Sequence, residues 1–396
     1  MTSLDNRDTR SLLLKLGVGT LILAAGCSAE AGDYGSVEEI DTISSDLANG
    51  VGGDPYDGWT PLSDRSGDPA SAVDDPGICF SESGFVIFQR VSSNKFKSVT
   101  WDSSGLPAAG VFNPRLSEWS TWGTSSKTFK SKPACANLDA IDSDEDRTFE
   151  IVLAGTASND KIYTSAAQAN DSADGSEPNV PTGVTDWTVV SALRTFAGGP
   201  GIAVGAGKVV VVGRGLSDSL IYAYTRSLPY EDGSWSHSVQ APALPSGWTA
   251  QGSPAIAYTL ANINKFTVMV RATKTGAPAT FYRAYFDGAS WGASWARALT
   301  CCSGDPALEF SSDVDALTVF GLSPMRGGAD VVQATGLNVT YGTLRTVRGY
   351  ELATVIGTPA ALGLWEPFEG ERRHTVVARK SDGTLAFTGT NGPISP

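Results

Sequence analysis

The sequence predicts an all-β fold: a six-bladed β-propeller closed by pairing of N- and C-terminal strands, preceded by an N-terminal signal and a disordered acidic tether. Three observations carry that prediction. The composition (44 Gly, 10 Trp and 11 Tyr in 396 residues, with 3 Met) suits many short strands joined by tight turns. A proline followed by a small residue recurs at Pro76, Pro133, Pro200, Pro254, Pro306 and Pro359. Successive prolines lie 57, 67, 54, 52 and 53 residues apart, the period of a four-stranded unit that must pack on its neighbours.

The elements follow in chain order. Arg7, Arg10 and Lys15 outnumber Asp5 and Asp8, and residues 16–25 form an uncharged stretch too short to span a bilayer as a stable helix. It ends in Ala24-Ala25-Gly26-Cys27, which resembles the lipobox of bacterial lipoprotein signals, with Ala24 where that family carries Leu. The resemblance implies cleavage before Cys27 and its acylation, anchoring the chain to a membrane through buried methylenes. Ser28, rather than Asp, then implies the outer membrane. A plain secretory signal cut nearby is the alternative. From Ser28 to Gly58 there are eight acidic residues and no basic one, the mark of a solvated, self-repelling linker. The expected organisation is a signal over 1–26, a lipidated acidic linker over 27–55 and the propeller over 56–396.

Within each copy an apolar run follows the proline, as in Val209–Val212 or Val268–Val270. A polar turn comes next, then an alternating strand such as Ile221–Tyr224, and a Trp-bearing segment ends the copy. Continuous apolar strands belong between blades and alternating ones at a half-exposed rim. The sixth copy has only 37 residues after Pro359, room for three strands. Asp57–Leu62 supplies the fourth and removes the free edge.

The string Gly252-Ser-Pro-Ala-Ile-Ala257, with Val268–Arg271, Phe281-Tyr282 and Asp287–Trp291, resembles a blade of bacterial propeller lectins and sialidase-like propellers. The resemblance covers about residues 56–396 and implies the fold. It also implies a glycan or another cell-envelope component as partner. The six copies have diverged, whereas propeller lectins typically repeat their sugar sites, and the sialidase Ser-x-Asp-x-Gly-x-Thr-Trp turns are not visible.

In such folds the turns between second and third strands share one edge with the blade linkers, where ligands gather as at barrel mouths. Arg90, Arg214, Arg271 and Arg379 end the second strand in four copies. They either grip carboxylates and sugar hydroxyls through paired hydrogen bonds or brace the blades against turn carboxylates such as Asp218 and Asp382. Trp248, in a blade linker, either stacks on a sugar ring or caps the core. Arg194, in the linker before Pro200, is a further binding candidate. Alternating carboxylates at Asp142, Asp144 and Asp146 resemble an oxygen-donor Ca²⁺ loop but lack the Gly and Glu of an EF-hand, so a solvated turn is the first reading. No cofactor is expected.

A net charge of −13 disfavours nucleic acid, whose phosphates need clustered cations. His237 and His374 are the only histidines, which argues against a multi-His zinc site or a His-centred base. A carboxylate pair for glycoside cleavage is assembled in space and leaves no spacing signal. Binding therefore ranks first, a polysaccharide hydrolase or lyase second, and a protein-interaction scaffold third, with the chain acting as a monomer. In an oxidising envelope Cys79 and Cys135 are placed to bridge the first two blades, with buried free thiols as the alternative. Cys301 and Cys302 are candidates for a vicinal bond.

Overall fold

Apolar runs become the middle strands of sheets. In Lys208–Gly215 the valines Val209 to Val212 are fully buried, and β-branched side chains covered on both faces are what a strand between packed sheets requires. The structure is a computed structural model. It describes residues 28–29 and 60–389, apart from 65, 82–83, 103–114, 124–125, 139–148, 169–181, 260–263, 301–302, 312–315, 324–329, 338–344, 347–358 and 369–370. Every regular element among the described residues is a strand, and the strands form six antiparallel sheets.

The first sheet holds Gly77–Ser81, Gly84–Arg90 and Phe96–Asp102, with Arg115–Leu116 and Ser120–Thr121 both on its outer edge. The second runs Ala134–Asn137, Ile151–Thr156, Ile162–Ala167, Thr188–Val189, and the third Phe196–Gly205, Lys208–Gly215, Ile221–Ser227, Val239–Gln240. Thr249–Thr259, Lys265–Lys274, Ala277–Phe286 and Ala296–Thr300 make the fourth; Ala307–Ser311, Ala316–Ser323, Asp330–Leu337 and Arg345–Thr346 make the fifth. The sixth takes Ala360–Phe368, Glu371–Arg379 and Leu385–Gly389 from the chain end and Thr60–Pro61 from its beginning. There Thr60 faces Phe387, Pro61 faces Ala386, and the Leu62 N–H donates to the Leu385 carbonyl at 2.9 Å.

Neighbouring sheets share their cores. Phe88, Phe96 and Phe129 pack with Ile151 and Leu153 between the first and second sheets. Val152 and Ile162 pack with Val209 and Tyr222 between the second and third. Val210 and Val212 meet Val268 and Val270 between the third and fourth. Leu62, Val377 and Phe387 of the sixth sheet meet Ile78 and Ile87 of the first. The inner strand of the fifth sheet lies beside those of the fourth and sixth. The fold is all-β and propeller-like.

Tryptophans that end the copies flank outer strands. Trp119 and Trp122 bracket Ser120–Thr121, Trp187 precedes Thr188, and Trp295 precedes Ala296. A disulfide joins Cys79 to Cys135 across the inner strands of the first two sheets, with Cα atoms 5.8 Å apart. Ser28–Ala29, expected in the linker, instead pair with Ala296–Thr300 as a fifth strand of the fourth sheet. Cys27, Cys301, Cys302 and the Asp142, Asp144 and Asp146 turn lie outside the described residues.

Candidate functional site

Second-to-third strand turns repeat one local device. Asn159 Oδ1 accepts from Lys161 N–H at 3.2 Å, Asp218 Oδ1 from Leu220 N–H at 3.0 Å, and Asp382 Oδ1 from Thr384 N–H at 2.9 Å. Such Asx turns reverse the chain tightly and hold the preceding residue at one sheet edge. Arg90, Arg214, Arg271 and Arg379 occupy that place. In register they oppose Phe96, Ile221, Phe281 and Leu385, and Thr156 opposes Ile162 as the equivalent of the second sheet.

From there the side chains reach segments ahead of the repeating prolines. Arg271 Nε lies 3.6 Å from Asp305 Oδ1 of the next sheet, and Arg379 Nη2 lies 3.6 Å from Asp75 Oδ1 of the first sheet. Arg214 Nε donates to the Gly252 carbonyl at 2.9 Å, and Thr156 Oγ1 donates to the Gly198 carbonyl at 2.8 Å. Gly198 and Gly252 each stand two residues before a proline, with φ of +74° and +66°, a left-handed conformation that glycine alone adopts freely. Arg90 differs: its Nη2 pairs with Asp74 at 3.1 Å and its Nη1 donates to Asn94 Oδ1 at 2.8 Å. The bracing arrangement weighed from sequence is thus present, but with other partners. Asp218 belongs to Arg194, and Asp382 lies 3.7 Å from Lys380.

Trp248 packs edge-on against Tyr282, ring centroids 5.3 Å apart, at the margin of the core between the third and fourth sheets. It is half-buried, so its ring is committed mainly to the sheet interface.

Arg194 leads to a concave site. Residues 191–195 pass from the second sheet into the third. With Ser217, Tyr224 and the segment Ser236–Ser238 they enclose a half-open cleft of about 490 Å³. Arg194 is fixed on the third sheet: its guanidinium sits 3.5 Å over the Tyr222 ring and Nη1 lies 3.3 Å from Asp218 Oδ2. The Tyr222 hydroxyl donates to the same carboxylate oxygen at 2.7 Å. Burial works against the ionised Asp218, but hydrogen bonds from Tyr222 and the Leu220 amide, with Arg194 alongside, outweigh it and hold its pKa below the usual carboxylate value. Burial, then the Asp218 carboxylate, push the Tyr222 hydroxyl up.

Tyr224 lines the cleft, is 2% exposed, and its buried hydroxyl has no hydrogen-bond partner among the described residues. A buried hydroxyl without a partner costs roughly 1–3 kcal/mol. Ser236 Oγ accepts from the Thr225 amide at 2.9 Å and donates to the His237 carbonyl at 3.0 Å, fixing the exposed His237 at the mouth. Sequence reasoning brought in Arg194 but gave His237 no binding role and left Tyr222 and Tyr224 as rim residues. The signal was two tyrosines two residues apart, on one strand face, beside a cation-bearing linker.

No group of three or more metal-ligating side chains occurs among the described residues. No protein-family model matches the chain, and no curated protein matches its sequence. The chain is similar to solved structures, of which the first two below share its fold. The AofleA protein of Arthrobotrys oligospora superposes with a TM-score of 0.56 at 9% identity, covering 83% of this chain and 84% of that one. A form of AofleA with three arginine-to-alanine substitutions gives 0.55 at 10% identity over 83% and 84%. A protein of unknown function from Dyadobacter fermentans reaches 0.49 at 11% identity, over 85% of this chain and 99% of its own.

Proposed function

We propose that the chain is a glycan-binding propeller of the bacterial cell envelope, with its sugar site in the cleft between the second and third sheets. In this reading the six sheets are six blades of one ring, closed by Thr60–Pro61 on the last. Lipidated Cys27 anchors the ring, as a monomer, to the outer membrane. One observation carries the binding assignment: a preformed cleft of about 490 Å³ lined by Arg194, Tyr224, His237 and serine side chains. Its size suits one or two sugar rings.

The chemistry favours a hydroxylated ligand. Ser191, Ser217 and Ser238 offer hydroxyls, and Arg194 offers donors from a guanidinium already held by Asp218 and Tyr222. Prepositioned donors lose little freedom on binding. The test is a glycan array probed with the purified chain, followed by calorimetry on the glycan it selects. Ser238→Ala is expected to weaken binding about threefold to tenfold, the worth of a neutral hydrogen bond. Arg194→Ala is expected to weaken it tenfold or more, with melting temperatures near wild type. Failure of every glycan to bind, or full affinity in both variants, contradicts the assignment.

A further inference from the structure

Lysines collect where the first three sheets turn. Segments 91–95, 122–133, 157–161 and 190–195 share the edge at which the second strands end. They hold Lys95, Lys127, Lys130, Lys132, Lys161 and Arg194 against the single carboxylate Asp160. Contacts join them into one strip. Lys95 Nζ donates to the Lys127 carbonyl at 2.8 Å, and Lys127 Nζ sits 3.9 Å over the Tyr163 ring. Lys130 pairs with Asp160, and Lys161 Nζ donates to the Ala192 carbonyl. The Asn159 hydrogen bond, with Lys127 and Lys161 alongside, lowers the Tyr163 pKa against its burial, as a positive surround does. At the opposite edge, turns 228–238 and 287–295 carry Glu231, Asp232 and Asp287 and no lysine or arginine. The strip is thus positive in a chain of net charge −13.

The same edge carries the exposed apolar side chains. Among the described residues the exposed large hydrophobics are Val73, Leu193 and Leu216. The Val73 amide donates to the Arg90 carbonyl and the Leu216 amide to the Thr195 carbonyl, so all three stand where the second strands end. Leu193 is 97% exposed and directly follows Ala192, at which the lysine strip ends. A single exposed leucine is ordinary. Two leucines beside a basic strip are the arrangement of interfacial membrane segments, whose apolar side chains enter the acyl boundary while their cations meet anionic headgroups. The N-terminal strand points the same way. Ser28, which follows Cys27, opposes Thr300, where the outer strand of the fourth sheet ends before the linker to the fifth. A lipid on Cys27 would therefore leave the domain at this edge.

We propose that this edge docks on an anionic lipid bilayer, with Leu193 and Leu216 entering the interface and the lysine strip meeting headgroup phosphates. The inference rests on the proposed envelope location and is independent of the sugar. Leu193 also lines the cleft, so a docked domain presents the cleft to glycans carried on the same membrane.

The experiment is co-sedimentation of the full chain carrying Cys27→Ser with sugar-free vesicles, read alongside amide hydrogen exchange. The vesicles are phosphatidylcholine alone or mixed with phosphatidylglycerol. The mixed vesicles are expected to bind at least tenfold tighter, a preference that shrinks as NaCl is raised. Leu193→Ser should lose about tenfold or more, and Lys127→Gln and Lys161→Gln about fivefold each. Lys265→Gln, at the opposite edge, should lose none. Mixed vesicles should slow exchange at residues 127–132 and 192–195 and leave 229–233 unchanged. Equal binding to both vesicles overturns the docking. So does full binding in both Leu193→Ser and the double lysine variant, or a lack of protection at 127–132 and 192–195, since any retention then belongs to the apolar stretch 16–25. Protection of the same amides by sodium phosphate without vesicle binding assigns the lysines to free anions and also overturns it. Should a lysine variant melt early, Leu193→Ser carries the test, because its side chain stands in water. Glycan binding on the array without vesicle binding leaves the sugar reading standing and removes this one.

Discussion

At Gly252 backbone freedom and side-chain space coincide. Its φ is +66° and an added Cβ would come within 1.6 Å of Asp305 Oδ1. Gly252→Ala is therefore expected to displace Asp305 and destabilise the fold by about 2 kcal/mol or more, read as a lower denaturation midpoint. Gly276→Ala is the contrast: its φ of +77° is also left-handed, but no atom lies within 4 Å of a Cβ there. It should cost only the conformational part, about 1 kcal/mol. Asp218 gives a pH dependence whose sign is fixed. Its folded-state pKa is depressed, so the Arg194 clamp is fully present above the ordinary carboxylate pKa of about 3.9. The clamp is lost as pH falls through the lower, folded value. Glycan affinity in the cleft should hold between about pH 5 and 7 and drop only in stronger acid. Asp218→Asn should remove that acid limb.

At the scale of strands, two links tie distant parts of the chain together. Thr60–Pro61 gives the sixth sheet its outer strand, and Leu62 is buried against Val377 and Leu385. Deleting residues 57–62 uncovers the edge of Leu385–Gly389, so aggregation or a large loss of stability is expected. Deleting 31–51 should leave the melting temperature nearly unchanged; equal melting of both forms would contradict the closing role. The Cys79–Cys135 bond spans 56 residues. Replacing both cysteines with alanine is expected to cost about 2–4 kcal/mol, and reductant should lower wild-type stability to match. These links were legible in sequence for specific reasons. The short sixth copy left a strand to be found, and Cys79 and Cys135 sit three and two residues after their prolines, on opposite strand faces.

Across the whole molecule, periodicity made the sheets readable, because each copy must bury the same apolar run against its neighbour. Partners across sheets were harder to read. Arg271 and Arg379 do not use the carboxylates of their own turns; they use Asp305 and Asp75, each immediately before a proline of the following sheet. Asp-Pro in the first and fifth copies was the available clue, but only the packing of one sheet on the next shows which arginine it serves. The cleft was less legible still, since Arg194, Ser217, Tyr224 and His237 come from four separate segments. No local spacing encodes such a meeting. Its existence as a sugar site is the central claim, and amide hydrogen exchange tests it most directly. With the array-selected glycan bound, amides of residues 191–195 and 236–238 should exchange more slowly, with no comparable change around Asn94 or Asp382. Protection confined to other turns, or none at saturating glycan, would contradict the account.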